Sequence, residues 1–214
     1  MASTNYPGSL DAYPVPNNGD TISVADHWLG PAVIGIETEL GTGPAGTFTD
    51  VKSRLDSGLV EEVDQWVLSS NYLHSGGGAV EFLTANWARK SSDSFSQKGT
   101  GMSEASGVFS FPSTGYYKID FATYNLVTSG SGFAYYGGLI YTTTNNSSFS
   151  AETENLNSVS AVNFFASTFN SLTFRVADIA NYKIKTGVQA ATPCTVLGSS
   201  ANRTVLLFTK LGGL

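Results

Sequence analysis

Charge is what this sequence has least of. Only 13% of its 214 residues are Asp, Glu, Lys or Arg, about half the usual share. The eleven lysines and arginines are scattered, so no basic stripe exists to displace counterions from a phosphate backbone, and a nucleic-acid role is excluded. A basic amphipathic helix for a membrane surface is also missing. No apolar run approaches the roughly 18 residues of a membrane-spanning helix. There is a single cysteine, Cys194, so no intrachain disulfide can form and stability has to come from packing and assembly. Cys194 itself reads as a small buried apolar residue. The opening stretch MASTNYPGSLDAYP has neither the charged nor the apolar region of a signal peptide, which predicts synthesis in a cytoplasm. The tandem sequons Asn145-Asn146-Ser147-Ser148 then read as a polar turn.

Chemistry-bearing groups are equally sparse. The only histidines are His27 and His74. His74, in Asn71-Tyr-Leu-His-Ser-Gly-Gly-Gly, is expected in a loop beside Ser75, but no G-x-S-x-G elbow accompanies the pair. Gly76-Gly77-Gly78 is followed by Ala-Val-Glu-Phe rather than by Lys-Ser/Thr and a helix, so it is not a phosphate loop. Histidines at i, i+4 and a cysteine cluster are both absent, which removes a zinc site. Glu61, Glu62 and Asp64 form a short acidic run. Calcium needs six to eight converging oxygens, and the run reads instead as solvated charge at the start of a strand. Glu152 and Glu154 could act as paired acids only beside a deep sugar cleft. No catalytic, cofactor-binding or metal-binding residue is therefore expected, and the chain does not read as an enzyme.

What is abundant points to β structure. Hydrophobic residues make up 41% of the chain, aromatics 12%, there are 23 glycines, and Ser with Thr exceeds a fifth. That mixture favours an all-β protein with a neutral, hydroxyl-rich surface. Alternating or apolar runs lie near 63–69, 79–87, 108–111, 116–126, 133–142, 159–169, 171–177, 181–189 and 203–211. The polar stretches 88–106 and 143–158 read as loops, and Val205 to Phe208 as a strand buried on both sides.

The segment Gly107 to Phe121, GVFSFPSTGYYKIDF, carries most information. Pro112 lacks an amide and ends strand pairing. Gly115 can supply the positive φ of a tight turn. Beyond it, Tyr117, Ile119 and Phe121 share one strand face, and Tyr116, Lys118 and Asp120 the other. The order Phe-x-Phe-Pro-x-x-Gly-x-Tyr resembles the signature of C1q/TNF-like jelly rolls. The resemblance spans most of 63–211 and implies a compact trimeric head that binds rather than catalyses.

The first 58 residues are different. Residues 1–20 contain Pro7, Pro14 and Pro16, which forbid a continuous helix, and Tyr6, Leu10, Tyr13 and Val15, which suit an extended arm packed on a partner. Residues 21–58 read as a short helical stalk. Leu29, Val33, Ile36 and Leu40 are spaced four, three and four apart, and Ile22 lies seven residues before Leu29, which makes a candidate trimer seam interrupted by Gly30-Pro31. Tyr6-Pro-Gly-Ser-Leu-Asp, Pro16-x-x-Gly-Asp, a helix near Asp26-His27, Glu39-Leu-Gly-Thr-Gly-Pro-x-Gly and Val51-Lys-x-Arg54-Leu55-Asp56 follow in order. Together they resemble the module that opens many tailed-phage fibre and appendage proteins. That resemblance implies trimerisation and tethering of a distal head, although Gly30-Pro31 departs from the family's continuous helix.

The resulting expectation is a mainly β homotrimer, with an arm at 1–20, a stalk at 21–58 and a C1q/TNF-like jelly-roll head at 59–214. Its expected role is a non-catalytic virion appendage, a tail fibre or receptor-binding head that is made in the host cytoplasm and carried on the virion. The alternative is a capsid-decorating spike or head fibre with a structural role, and a capsule-degrading hydrolase is a third reading. Partners would be the chain's own copies, other virion proteins reached through the arm, and a host surface glycan or protein. No cofactor is expected. Phe133, Tyr135, Tyr136 and Tyr141 share one strand, and aromatic rings can stack on sugar faces. The expected receptor-contact region is Tyr136 with Asn145, Asn146 and Phe149.

Overall fold

A computed structural model describes residues 60–92, 95, 97–127, 134–160, 162–199 and 201–214. The arm, the stalk seam Ile22, Leu29, Val33, Ile36 and Leu40, His27 and Phe133 lie outside the described residues. Residues Val60–Leu214 form one compact unit, and its described elements are all strands.

The strands are β1 (Val63–Leu68), β2 (Tyr72–His74), β3 (Val80–Phe82), β4 (Trp87–Arg89), β5 (Ser103–Ala105), β6 (Val108–Ser110) and β7 (Gly115–Val127), then β8 (Ala134–Thr143), β9 (Ser150–Val159), β10 (Phe165–Val176), β11 (Lys183–Ala190), β12 (Cys194–Val196) and β13 (Val205–Gly212). They make two antiparallel sheets. The first runs β2-β12-β7-β13-β1-β4, with β10 on the other side of β7. The second runs β5-β6-β11-β8-β9, with β3 also paired to β11.

The Pro-x-x-Gly-x-Tyr segment carries the chain from one sheet to the other. β6 pairs with β11 in the second sheet, whereas β7 is central to the first. The Tyr117 hydroxyl donates to the Ser113 carbonyl at 3.0 Å and lies 2.9 Å from the Ser113 hydroxyl. The Phe111 and Tyr117 rings meet at 4.7 Å. The turn is therefore clasped by its own tyrosine, and burial raises that phenol above its ordinary range. Gly115 adopts φ +146°, and a Cβ there would run into the Gly212 carbonyl. Any other residue would be strained at this crossing.

β7 alternates along its whole length, with Tyr117, Ile119 and Phe121 fully buried. These residues meet a core of Trp66, Trp87, Phe109, Phe111, Leu206 and Phe208. Phe109 sits edge-on to Trp66 at 5.3 Å and to Trp87 at 5.6 Å, pairs worth about 0.5–1.5 kcal/mol each beyond burial. Further along β7 the interior becomes polar. Thr123 and Thr168 share a hydrogen bond at 2.8 Å, Gly138 N–H donates to Thr168 at 3.1 Å, and Asn170 donates to the Gly138 carbonyl at 2.9 Å. A small second cluster of Val127, Tyr136, Ala166, Ala190 and Cys194 lies elsewhere in the interior.

Three expectations are corrected. Residues 143–158 are not one loop, because most of β9 lies there. β9 is exposed on both faces and polar, so it shows no apolar alternation. The stretch 88–106 likewise contains the end of β4 and all of β5. Val205 to Phe208 is not buried on both sides: Leu206 and Phe208 face the core, while Val205 and Leu207 are half-buried on the outer face. The open side of the sandwich between β9 and β10 is bridged by side chains. Asn155 donates to the Phe169 carbonyl at 2.8 Å and Asn157 to the Ser167 carbonyl at 3.3 Å, which occupies two acceptors of an exposed strand edge.

Candidate ligand-contact site

The outer face of the second sheet gathers three rings around one cation. β11 directs Ile184 into the core and Lys185 outward. Lys185 pairs with Tyr141 of β8, and two residues on, Gly187 pairs with Phe82 of β3. The missing side chain at Gly187 leaves room for the Phe82 ring, whose edge would lie 3.3 Å from a Cβ there. Phe82 and Tyr141 meet edge-to-face at 5.0 Å. The Lys185 ammonium sits 3.5 Å from the Phe82 centroid, 4.4 Å from that of Phe149 and 5.9 Å from that of Tyr141. All four residues are half-buried. Desolvation lowers the Lys185 pKa from its ordinary value. Among the described residues no carboxylate or hydrogen-bond acceptor partners this ammonium. Lys183, two residues away, donates to the Ser110 hydroxyl at 2.8 Å.

The expected contact residues fare differently. Phe149 belongs to this cluster. Asn145 and Asn146 are exposed in the turn that precedes it. The Asn145 side-chain oxygen accepts from Ser147 N–H at 3.0 Å and Ser148 N–H at 2.9 Å, and Asn146 takes φ +56°. The tandem sequon thus forms the polar turn its composition implies. Tyr136 is a correction. It points into the sandwich, is fully buried, and its hydroxyl bonds Thr192. Strand alternation puts Tyr135 and Tyr141 outward instead. Sequence reasoning missed Phe82 and Lys185. The available signal was Lys185 set beside Ile184 in the strand Tyr-Lys-Ile-Lys-Thr-Gly-Val, but joining residues 82, 141, 149 and 185 requires the topology.

Several other titratable groups are engaged structurally. The acidic run is not solvated at the strand start as expected. Asp64 is fully buried and accepts from Arg89 Nε at 2.9 Å, Arg89 Nη2 at 3.1 Å, Met102 N–H at 2.6 Å and Trp66 Nε1 at 2.9 Å. Glu62 accepts from Thr100 and Gly101 N–H at 3.1 and 2.9 Å, and Glu61 pairs with Lys210. Among the described residues no group of three or more His, Cys, Asp or Glu converges as metal ligands would.

His74 is buried at the end of β2 rather than placed in a loop. Its Nδ1 accepts from Gly76 N–H at 2.9 Å and its Nε2 donates to the Val188 carbonyl at 3.0 Å, so neither nitrogen is left for a nucleophile. The Ser75 hydroxyl donates to Glu81, not to His74. Burial works to raise the Glu81 carboxyl, but the Ser75 hydroxyl and amide, with help from His74 and Tyr72, hold it below its ordinary value. Cys194 lies opposite His74, and burial, reinforced by the Glu81 charge, pushes its thiol up to about 12. That is the environment of an inert cysteine.

No family model and no curated protein matches this chain. Solved structures do. Eiger TNF from S. frugiperda is similar with a TM-score of 0.54 and 12% identity, over 71% of this chain and 93% of that one. Murine APRIL at pH 8.0 is similar with a TM-score of 0.50 and 14% identity, over 70% of this chain and 98% of that one. The described residues therefore form a TNF-like jelly roll, and identities this low establish the fold alone. The PRD1 vertex protein P5 is a looser likeness, with a TM-score of 0.40 and 12% identity over 72% of this chain and 100% of that one, too loose to bear on function.

Proposed function

We propose that the protein is a non-catalytic virion appendage, a homotrimeric receptor-binding head on a tail fibre. In this reading residues 1–20 attach to other virion proteins, residues 21–58 form a trimeric stalk, and residues 59–214 form the adhesive head. One observation carries the self-association. The outer face of the first sheet leaves Leu73 78%, Phe169 56%, Phe165 52% and Tyr116 41% exposed. Phe165 and Phe169 stand on β10, an edge strand, with Phe164 next to them 59% exposed. Burying such a row against a second copy removes apolar surface from water at about 25 cal/mol per Å² and shields the edge. Adhesion is supported by the aromatic and lysine cluster on the opposite face, which assembly through the first sheet would leave open. Three copies of a weak site then act together. Engagement of His74, Cys194 and the acidic run within the fold supports a non-catalytic role.

Light scattering tests the assembly. The full chain is expected at three times its 22.6 kDa mass, and Phe165→Asp with Phe169→Asp at the mass of one chain with an unchanged circular dichroism spectrum. A single-chain mass for the unaltered protein at micromolar concentration sinks the trimer. Antibody to residues 60–214 should label virion tails, whereas label on the capsid would favour a decorating spike.

A further inference from the structure

Resting on the reading of this head as adhesive, we infer that the Lys185 cluster binds a carboxylated sugar, with the Lys185 ammonium holding the carboxylate and the rings of Phe149 and Tyr141 supporting the C–H face of the sugar. Lys185 is a cation drawn partly out of water and faced by three ring surfaces. Rings attract a cation through their quadrupole but offer its N–H groups no lone pair. Every other charged contact described here supplies such an acceptor. Asp64 meets Arg89, Glu61 meets Lys210, and even Lys183 reaches the Ser110 hydroxyl. Among the described residues Lys185 has no such acceptor, and it is only half-buried, so a ligand can reach it.

A carboxylate supplies charge and acceptors together, and charge-assisted bonds of this kind are roughly twice as strong as neutral ones. A simple anion would leave the ring surfaces unused, and a neutral sugar would leave the ammonium unpaired. A carboxylated pyranose such as a uronic acid satisfies both. The net charge of −6 argues against general attraction of anions, so retention of an acidic sugar reports a local site.

The probes are D-glucuronic acid, methyl β-D-glucoside and acetate, added to the full-length protein and followed by amide and side-chain NMR. Glucuronic acid is expected to shift the Lys185 and Tyr141 resonances saturably in the millimolar range. The glucoside and acetate should each bind at least about tenfold more weakly, a difference of about 1.4 kcal/mol. Lys185→Met should abolish the saturable shift while leaving the thermal midpoint within a few degrees, and Phe149→Ala should weaken it. Equal binding by Lys185→Met overturns the inference, as does acetate binding as tightly as glucuronic acid, or no saturable shift at all. Fluorescent heads applied to host cells separate this result from the wider reading. Heads that adhere regardless of Lys185→Met and of added glucuronic acid overturn the sugar site and leave adhesion standing. Heads that adhere to no host cell overturn adhesion, whatever the NMR shows.

Discussion

Asp64 and Lys185 are two charges in one sandwich with opposite surroundings. Asp64 is fully buried and receives four hydrogen bonds from Arg89, Met102 and Trp66. Arg89 is itself placed over the Trp66 ring at 4.7 Å and bonds the Met102 carbonyl. Lys185 is half-buried and, among the described residues, meets ring faces and no acceptor. A buried charge survives when its partners are complete. A half-buried charge with incomplete partners survives because water reaches it, and what water reaches a ligand can reach. The first arrangement ties β1, β4 and the segment before β5 together. The second leaves a binding capacity on the surface.

Substitutions at the two positions should separate those roles. Asp64→Ala strands the Arg89 guanidinium and the Met102 and Trp66 donors, and is expected to lower unfolding free energy by about 3 kcal/mol or more. Urea denaturation reads this directly, and a loss below about 1 kcal/mol would mean the pair is no better than a surface one. Glu81→Gln should act more weakly and in a pH-dependent way. The folded carboxyl sits below its ordinary value of 4.5, so the unfolded chain binds that proton more tightly. The stabilisation is complete above about 4.5 and is lost as pH falls through the lower folded value. The Gln variant should therefore lose less stability than the parent between pH 5 and pH 2. Parallel curves for the two proteins would show that the Ser75 bonds carry no net energy. Lys185→Met should have the smallest effect on stability, about 1 kcal/mol or less, although it is the variant expected to lose acidic-sugar binding. A stability loss as large as that of Asp64→Ala would make Lys185 a structural residue and end the contrast.

Much of the fold was legible because β structure writes itself as alternation. β7 reads from Tyr116 to Phe121 as an apolar face and a polar face, and both are observed. The Phe-x-Phe-Pro-x-x-Gly-x-Tyr order pointed to the jelly roll, and the Tyr117 clasp on Ser113 supplies its physical reason. β9 was illegible because an edge strand exposed on both faces carries no alternating pattern. The candidate site was legible only in part. Phe149 and its turn could be picked out locally, since an Asx turn depends on residues two and three apart. Tyr136 could not be told from Tyr135, because a shift of one residue exchanges the buried and the exposed face. The acidic run looked solvated because its donors, Arg89 and the amides of 100–102, come from outside it.

Taken alone, the sequence determined the poverty of charge, the lack of a disulfide, the β character and the turn at Pro112. Each of these depends on composition or on neighbours a few residues apart. Only the tertiary structure decided that Asp64 is satisfied, that His74 and Cys194 are closed off, and that Lys185 stands among Phe82, Tyr141 and Phe149 with no acceptor among the described residues. Those facts depend on strand register and on which sheet face each residue takes, and long-range pairing sets both.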